Sequence, residues 1–177
     1  MANTLSCPIP TNINPLTSTG FRFTIDKLPE ISFFCQEANI PGIMIGDPML
    51  ANPFRGVPIP GDHLTYDTLS IKFLVDASME NYIAVYNWIV ALGFPQDYQQ
   101  YINFISAQQF AGMSELAKSS GTGTLAILNN TNTTVRTLTF NDLLPVSIGS
   151  LTFASTNSDV QYLVGNAEFR FSYYTFA

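Results

Sequence analysis

The sequence predicts a mainly β fold, a sandwich or barrel of antiparallel strands with one flanking α-helix. Three observations predict it. Phe169, Phe171 and Tyr173 alternate with Glu168, Arg170, Ser172 and Tyr174 near the C-terminus. Phe21, Phe23 and Ile25 alternate with Arg22, Thr24 and Asp26 near the N-terminus. A period of two is that of a strand with one face in a core and the other free. Between them a single stretch changes to spacings of three and four, the period of a helix.

Residues 1–20 carry Pro8, Pro10, Pro15 and Gly20 among Asn, Ser and Thr, and are expected to form an extended arm. The rest, residues 21–177, is expected to be a single domain. Residues 21–28 and 31–40 read as two strands joined by a turn at Lys27-Leu28-Pro29-Glu30, a hairpin closed by Pro41-Gly42. Residues 41–62 hold five prolines and four glycines. That density excludes a helix but allows extended edge segments, a natural arm for reaching a neighbouring copy. Residues 64–76 read as the central strand, Leu69, Ile71, Phe73 and Val75 on one side and Ser70 and Lys72 on the other.

The helix follows. Met79, Tyr82, Val85, Tyr86 and Ile89 form its apolar stripe with Trp88 off centre, Ser78 is the expected N-cap, and Gly93 and Pro95 end it. Residues 96–120 read as a short helix followed by a flexible loop. Strands are expected at 122–128, 134–141 and 149–154, with a turn at 129–133 and a break at Leu144-Pro145. The last strand spans 160–176, with Gly165 marking a bulge.

Composition bounds the function. Charged residues are 11% of the chain, far below the ~25% usual for soluble domains, while Phe and Tyr are abundant. Interface centres have this character, so surfaces buried in an assembly are expected. The net charge is −6 and the seven basic residues are scattered, which argues against tight binding of nucleic acid. The N-terminus lacks a charged and apolar leader, and no stretch approaches a membrane span, so neither secretion nor membrane insertion is expected.

The equipment for catalysis is sparse. The only histidine, His63, lies in Gly61-Asp62-His63-Leu64, and no Gly-x-Ser-x-Gly elbow accompanies it. Cys7 and Cys35 lack metal-ligand spacing and read as free thiols. Gly121-Thr-Gly123 is not continued into a phosphate loop or dinucleotide fingerprint. Asp62, Asp67 and Asp76 flank a strand, where turn caps are commoner than paired catalytic acids. No catalytic, cofactor-binding or metal-binding residue is assigned, and no cofactor is expected.

Three blocks carry a family resemblance. They are Phe33-Phe34-Cys35 running to Ile40-Pro41, then Val57-Pro-Ile-Pro-Gly61-Asp62-His63-Leu-Thr-Tyr66-Asp67 leading into the strand and the Trp88 helix, and Phe140-Asn-Asp-Leu-Leu144-Pro145-Val-Ser-Ile-Gly149 before the last hairpin. In this order they resemble the tail tube proteins of contractile-tailed bacteriophages, over roughly residues 21–176. The N-terminal arm and the 96–121 insert have no counterpart in that pattern. The resemblance implies a structural subunit of the virion tail, assembled in the host cytoplasm, with six copies to a ring whose sheets join into a barrel. It implies stacked rings, contact with sheath and with baseplate or terminator proteins, and DNA passing through the lumen without tight binding. A tube-initiator or tail-terminator ring is the alternative, and a monomeric ligand-binding sandwich is a further one. Acidic and neutral polar residues suit such a lumen, with Asp67 and Glu168 as candidates.

Overall fold

The computed structural model describes residue 13 and residues 15–107, 119–155 and 161–177. Its strands are β1 (Phe21–Ile25), β2 (Cys35–Ala38), β3 (Ile43–Ile45), β4 (Met49–Leu50), β5 (Val57–Pro58), β6 (Leu64–Tyr66), β7 (Leu69–Leu74), β8 (Gly121–Leu128), β9 (Thr134–Ile148), β10 (Val164–Arg170) and β11 (Tyr173–Phe176). Among the described residues the helices are α1 (Pro29–Phe34), α2 (Glu80–Gly93) and α3 (Gln99–Ala107): α2 is the flanking helix expected, α3 is the short helix expected within residues 96–120, and α1 is additional.

Seven strands form one antiparallel sheet in the order β1-β8-β9-β10-β7-β2, with β11 also on β9. The 15-residue β9 ties its halves together. Up to Leu143 it pairs with β8, and from Leu144 it pairs with β10. The expected break at Leu144-Pro145 is therefore a change of partner within a continuous strand. Pro145 sits opposite Phe169 at a register shift, where a missing N–H is tolerated. No ladder joins β1 to β2 among the described residues, so the sheet is not closed into a barrel.

The inward faces of both halves share one core. Phe23, Ile25, Leu125, Leu138 and Phe140 from one half meet Leu69, Ile71, Phe73, Ala167 and Phe169 from the other. Gly165 makes room for this packing instead of marking a bulge. A Cβ there would lie 2.8 Å from the Phe73 ring, and the actual register shift falls at Glu168/Phe169.

The expected N-terminal hairpin does not form. β1 pairs with β8 and β2 with β7, and between them residues 29–34 are helix. Pro29 fits the first turn of a helix, Glu30 suits its positive end, and buried Ile31 seals it to the core. The run Ile-Ser-Phe-Phe satisfies either period, and the need to carry the chain from one half of the sheet to the other selects the helix. At the other end, β10 and β11 replace one long strand, and the interruption at Phe171-Ser172 shifts the phase. Phe169 and Phe171 face inward as expected, but Tyr174, not Tyr173, continues that face. Residues 149–154 form no strand, and residues 64–76 split at Asp67-Thr68 into β6 and β7.

On α2 the buried residues are Asn81, Val85, Trp88 and Ala91, so Trp88 is central to the buried face. The sequence stripe missed this because it omitted Asn81 and Ala91. Ser78 is not the cap. Met79 holds that position at φ 60°, and the Asp76 carboxylate accepts the Glu80 N–H at 2.9 Å. Asn81 is fully buried; its Nδ2 donates to Leu74 O at 2.7 Å, and its Oδ1 accepts the Asp76 N–H at 3.3 Å. Asn81→Ala removes both bonds between α2 and the end of β7 and is expected to cost about 1–3 kcal/mol. Urea unfolding of the variant beside Asn81→Asp, which retains only acceptors, checks this.

Candidate assembly surfaces

Three surfaces outside the core have definite chemistry. The first is the outward face of β2, β7, β10 and the end of β9. The strands bring polar residues into cross-strand rows, Glu37–Lys72–Asn166 and Ser70–Glu168–Ser147. Lys72 Nζ lies 2.8 Å from Glu37 Oε2. Ser147 Oγ donates to Glu168 Oε2 at 3.1 Å, and Ser70 Oγ donates to Asn166 Oδ1 at 3.3 Å. Asp67, the other lumen candidate, lies apart from these rows in a cleft that Arg170 also lines. Lys72 and Glu37 neutralise each other in this way, while Glu168 keeps its charge with a hydroxyl as partner.

The second is the outward face of the other half of the sheet. Thr24, Thr124, Thr139 and Thr175 are direct partners across β1, β8, β9 and β11. Sequence reasoning missed this row, although Thr122-Gly-Thr124 and Thr137-Leu-Thr139 carry its signal.

The third is the long hairpin between β2 and β7. β3 pairs with β6 and β4 with β5, which fulfils the expected extended segments. Its apolar side chains remain in water: Phe54 is 98% exposed, Met44 70% and Met49 66%. Its proline and glycine content excluded a helix and allowed extended segments, while their pairing as a hairpin and the exposure became visible only in the fold.

The helices flank these surfaces. Trp88 Nε1 donates to Ser119 O at 3.0 Å, and its ring stacks at 6.5 Å on Phe104 of α3. Lys27 Nζ lies 5.5 Å from the Trp88 centroid and 5.6 Å from that of Phe104. Burial lowers the Lys27 pKa from 10.5 to about 8, against the opposing pull of Asp26. Burial likewise raises the Cys35 thiol from 9.0 to about 11, despite its bond to Glu37 O. The two act in opposite directions on stability. Between about pH 8 and 10.5 the unfolded chain holds the Lys27 proton and the folded chain does not, so stability rises with pH. Between about pH 9 and 11 the folded chain holds the Cys35 proton that the unfolded chain has lost, so stability falls. In Cys35→Ser the urea midpoint is expected to keep rising above pH 9, and Lys27→Met is expected to remove that rise.

The remaining candidates from the sequence stand apart. His63 is 91% exposed and 4.0 Å from the Asp62 carboxylate, as expected of a polar turn. Cys35 is a free thiol, while Cys7 lies outside the described residues. Among the described residues no three His, Cys, Asp or Glu side chains gather as metal ligands, and no helix is long and apolar enough to cross a membrane. Most of the expected 1–20 arm and the loop after α3 also fall outside the described residues.

Comparison with known proteins gives a consistent result. A family model described as phage tail tube protein matches residues 4–177. No curated protein matches. Among solved structures, a chain of the six-fold symmetrised anti-feeding prophage baseplate aligns with TM-score 0.57 at 13% identity, covering 93% of this chain and 96% of that one. A chain of the sheath–tube complex of the extracellular contractile injection system PVC, in its extended state, aligns with TM-score 0.56 at 11% identity, covering 92% and 91%. A chain of the anti-feeding prophage tube-terminating cap aligns with TM-score 0.57 at 13% identity, covering 98% of both. At these identities the likeness is one of fold.

Proposed function

The chain belongs to the phage tail tube protein family, and from that premise we propose that it is the repeating subunit of a tail tube, six copies to a ring, with rings stacked around a channel for DNA. The observation that carries the assembly reading is the quantity of large apolar side chain left in water, Phe54 at 98% and Phe33 at 86% among them. Exposed apolar surface on this scale marks contact sites. Six-fold order is supported by the similar baseplate chain, which comes from a six-fold symmetrised structure.

The outward edges of β2 and of the Leu144–Ile148 end of β9 have no strand partner among the described residues. Pairing them between copies would continue the sheet and remove edges prone to aggregation. The channel wall in this reading is the outward face of β2, β7, β10 and β9. Its charges are the Glu37–Lys72 pair together with Glu168 and Arg170 on β10, which sum to no net excess of cation, and a wall without such an excess lets phosphate pass.

The similar sheath–tube complex supports a sheath partner, and the baseplate and cap chains support partners at the tube ends. The reading places the protein in the virion tail after assembly in the host cytoplasm. Residues 21–177 act as one domain, residues 1–20 are an arm laid on a neighbour, and the role is structural, without catalysis or cofactor.

Negative-stain electron microscopy across a concentration series tests this. Hollow tubes that lengthen with concentration are expected. Growth that stops at one ring would assign the chain to a tube end, and a uniform monomer even with preformed tube ends added would overturn the assembly reading.

A further inference from the structure

Helix α3 lies in the 96–121 insert, which the three family blocks leave out. Among the described residues, Phe104 is the apolar side chain of α3 that packs against the core. Between α2 and α3 a groove of about 330 Å³ stays open, lined by Asn87, Val90, Ala91, Gln100, Asn103 and Phe104. Closely packed helices leave no such space. The corner between the two helices is short. Gly93 ends α2, Phe94 follows in the left-handed region at φ 30° with its N–H on Val90 O at 2.6 Å, and Pro95 stops the helix from continuing.

Phe104 closes over a cation. Its ring lies 6.5 Å from that of Trp88 and within 17° of parallel. Lys27, on the turn between β1 and α1, places Nζ 5.5 Å from the Trp88 centroid and 5.6 Å from that of Phe104. Gly121 makes the room: a Cβ there would lie 3.1 Å from Trp88 Cη2 and 3.6 Å from Lys27 Cδ. The neighbouring charge is Asp26, whose Oδ1 accepts the Lys27 N–H at 2.8 Å and the Thr122 N–H at 2.9 Å. Neither β8 nor α3 contains a charged side chain, Tyr101 being the titratable group of α3. The charged residue of α2, Glu80, stands two turns before Trp88. Seating Phe104 strips water from the ammonium, and the ring faces return part of that loss. Burial outweighs the pull of Asp26 and lowers the Lys27 pKa to about 8, so the closed site favours the neutral amine.

We propose that α3 is a flap that turns about Gly93–Pro95, and that the charge of Lys27 sets how tightly it closes. The ammonium holds the flap loose, and the neutral amine lets Phe104 seat on Trp88. In the open flap Lys27 returns to water and towards its ordinary 10.5. Closure therefore releases a proton between about pH 8 and 10.5, and it tightens as pH rises through that window.

Chymotrypsin tests this on the full chain, below the concentration at which it assembles. Cleavage after Tyr101 and Phe104 is read by mass spectrometry and divided by the rate on a small peptide at the same pH. For the parent this ratio is expected to fall about tenfold from about pH 7 to about pH 10, within the roughly 300-fold bound set by a pKa difference of about 2.5. Lys27→Met is expected to be cut slowly at both pH values, and Lys27→Arg, which keeps its charge, quickly at both. Phe104→Ala removes the seat and is expected to be cut quickly after Tyr101 at either pH. Far-ultraviolet circular dichroism checks that each variant is folded. A parent ratio that does not move with pH, or a Lys27→Met ratio that falls as the parent's does, overturns the flap. A Lys27 effect on the urea midpoint without one on cleavage also overturns it, and assigns the amine to global stability alone.

Discussion

Replacing Trp88 with alanine lowers the unfolding free energy by about 3–5 kcal/mol, the range for truncating a large buried aromatic side chain. Trp88 is fully buried at the centre of the inner face of α2. Its ring meets Phe169 of β10 at 6.2 Å and Phe104 of α3 at 6.5 Å, and its N–H donates to Ser119 O just before β8. One side chain thus joins a strand, two helices and the segment leading into a second strand, so neighbours collapsing from one side cannot refill the space. Trp88→Phe retains most of the apolar volume and loses the hydrogen bond, for which about 1 kcal/mol is expected. Trp88 is the only tryptophan, so urea unfolding must be followed by far-ultraviolet circular dichroism. A loss below about 1 kcal/mol for the alanine variant would mean that α2 is not integral to the core, contrary to its burial.

The strands were legible where one face is buried and the other wet. Phe23 and Ile25, or Leu69, Ile71 and Phe73, alternate strictly, and the sheet reads that alternation directly. The errors fell where a local signal has two physical solutions. Pro145 signals a break, yet a strand that changes partner at a register shift tolerates proline, and nothing local reveals the change. Residues 31–34 fit a strand or one turn of helix, and only the crossing between the sheet halves decides. Trp88 was misplaced on its helix because a buried asparagine, Asn81, belongs to the inner face, and a polar residue there is invisible to an apolar stripe. The assembly surfaces divide in the same way. Glu168 was legible as a residue on a free strand face, but its row with Ser70 and Ser147 needs the register of three strands. The gap between β1 and β2 was not legible at all, because it arises from a pair of strands that do not meet.

Reversing the charge of the proposed channel wall should convert a passive conduit into one that holds DNA. Glu37→Lys with Glu168→Lys shifts each copy by about four charge units, two at each position, and leaves Lys72 without its carboxylate partner. The cost in stability is small, since an exposed ion pair such as Glu37–Lys72 contributes about 0–1 kcal/mol. The effect on phosphate is large because the change repeats in every subunit around and along the channel. Parent tubes are expected to retain no duplex DNA at about 50 mM salt, and the variant tubes to retain it with an affinity that falls at least tenfold by about 200 mM, as counterion release requires. The place of retention decides the geometry. DNA held in the lumen resists nuclease, and DNA held on the outer surface does not. Thr139→Lys with Thr175→Lys, on the opposite face of the sheet, provides the contrast: its DNA should remain accessible to nuclease. If the protection is exchanged between the two variants, the threonine face lines the channel and the Glu37–Lys72 and Glu168–Ser147 rows face outward. If neither variant retains DNA, neither face borders the path that DNA takes.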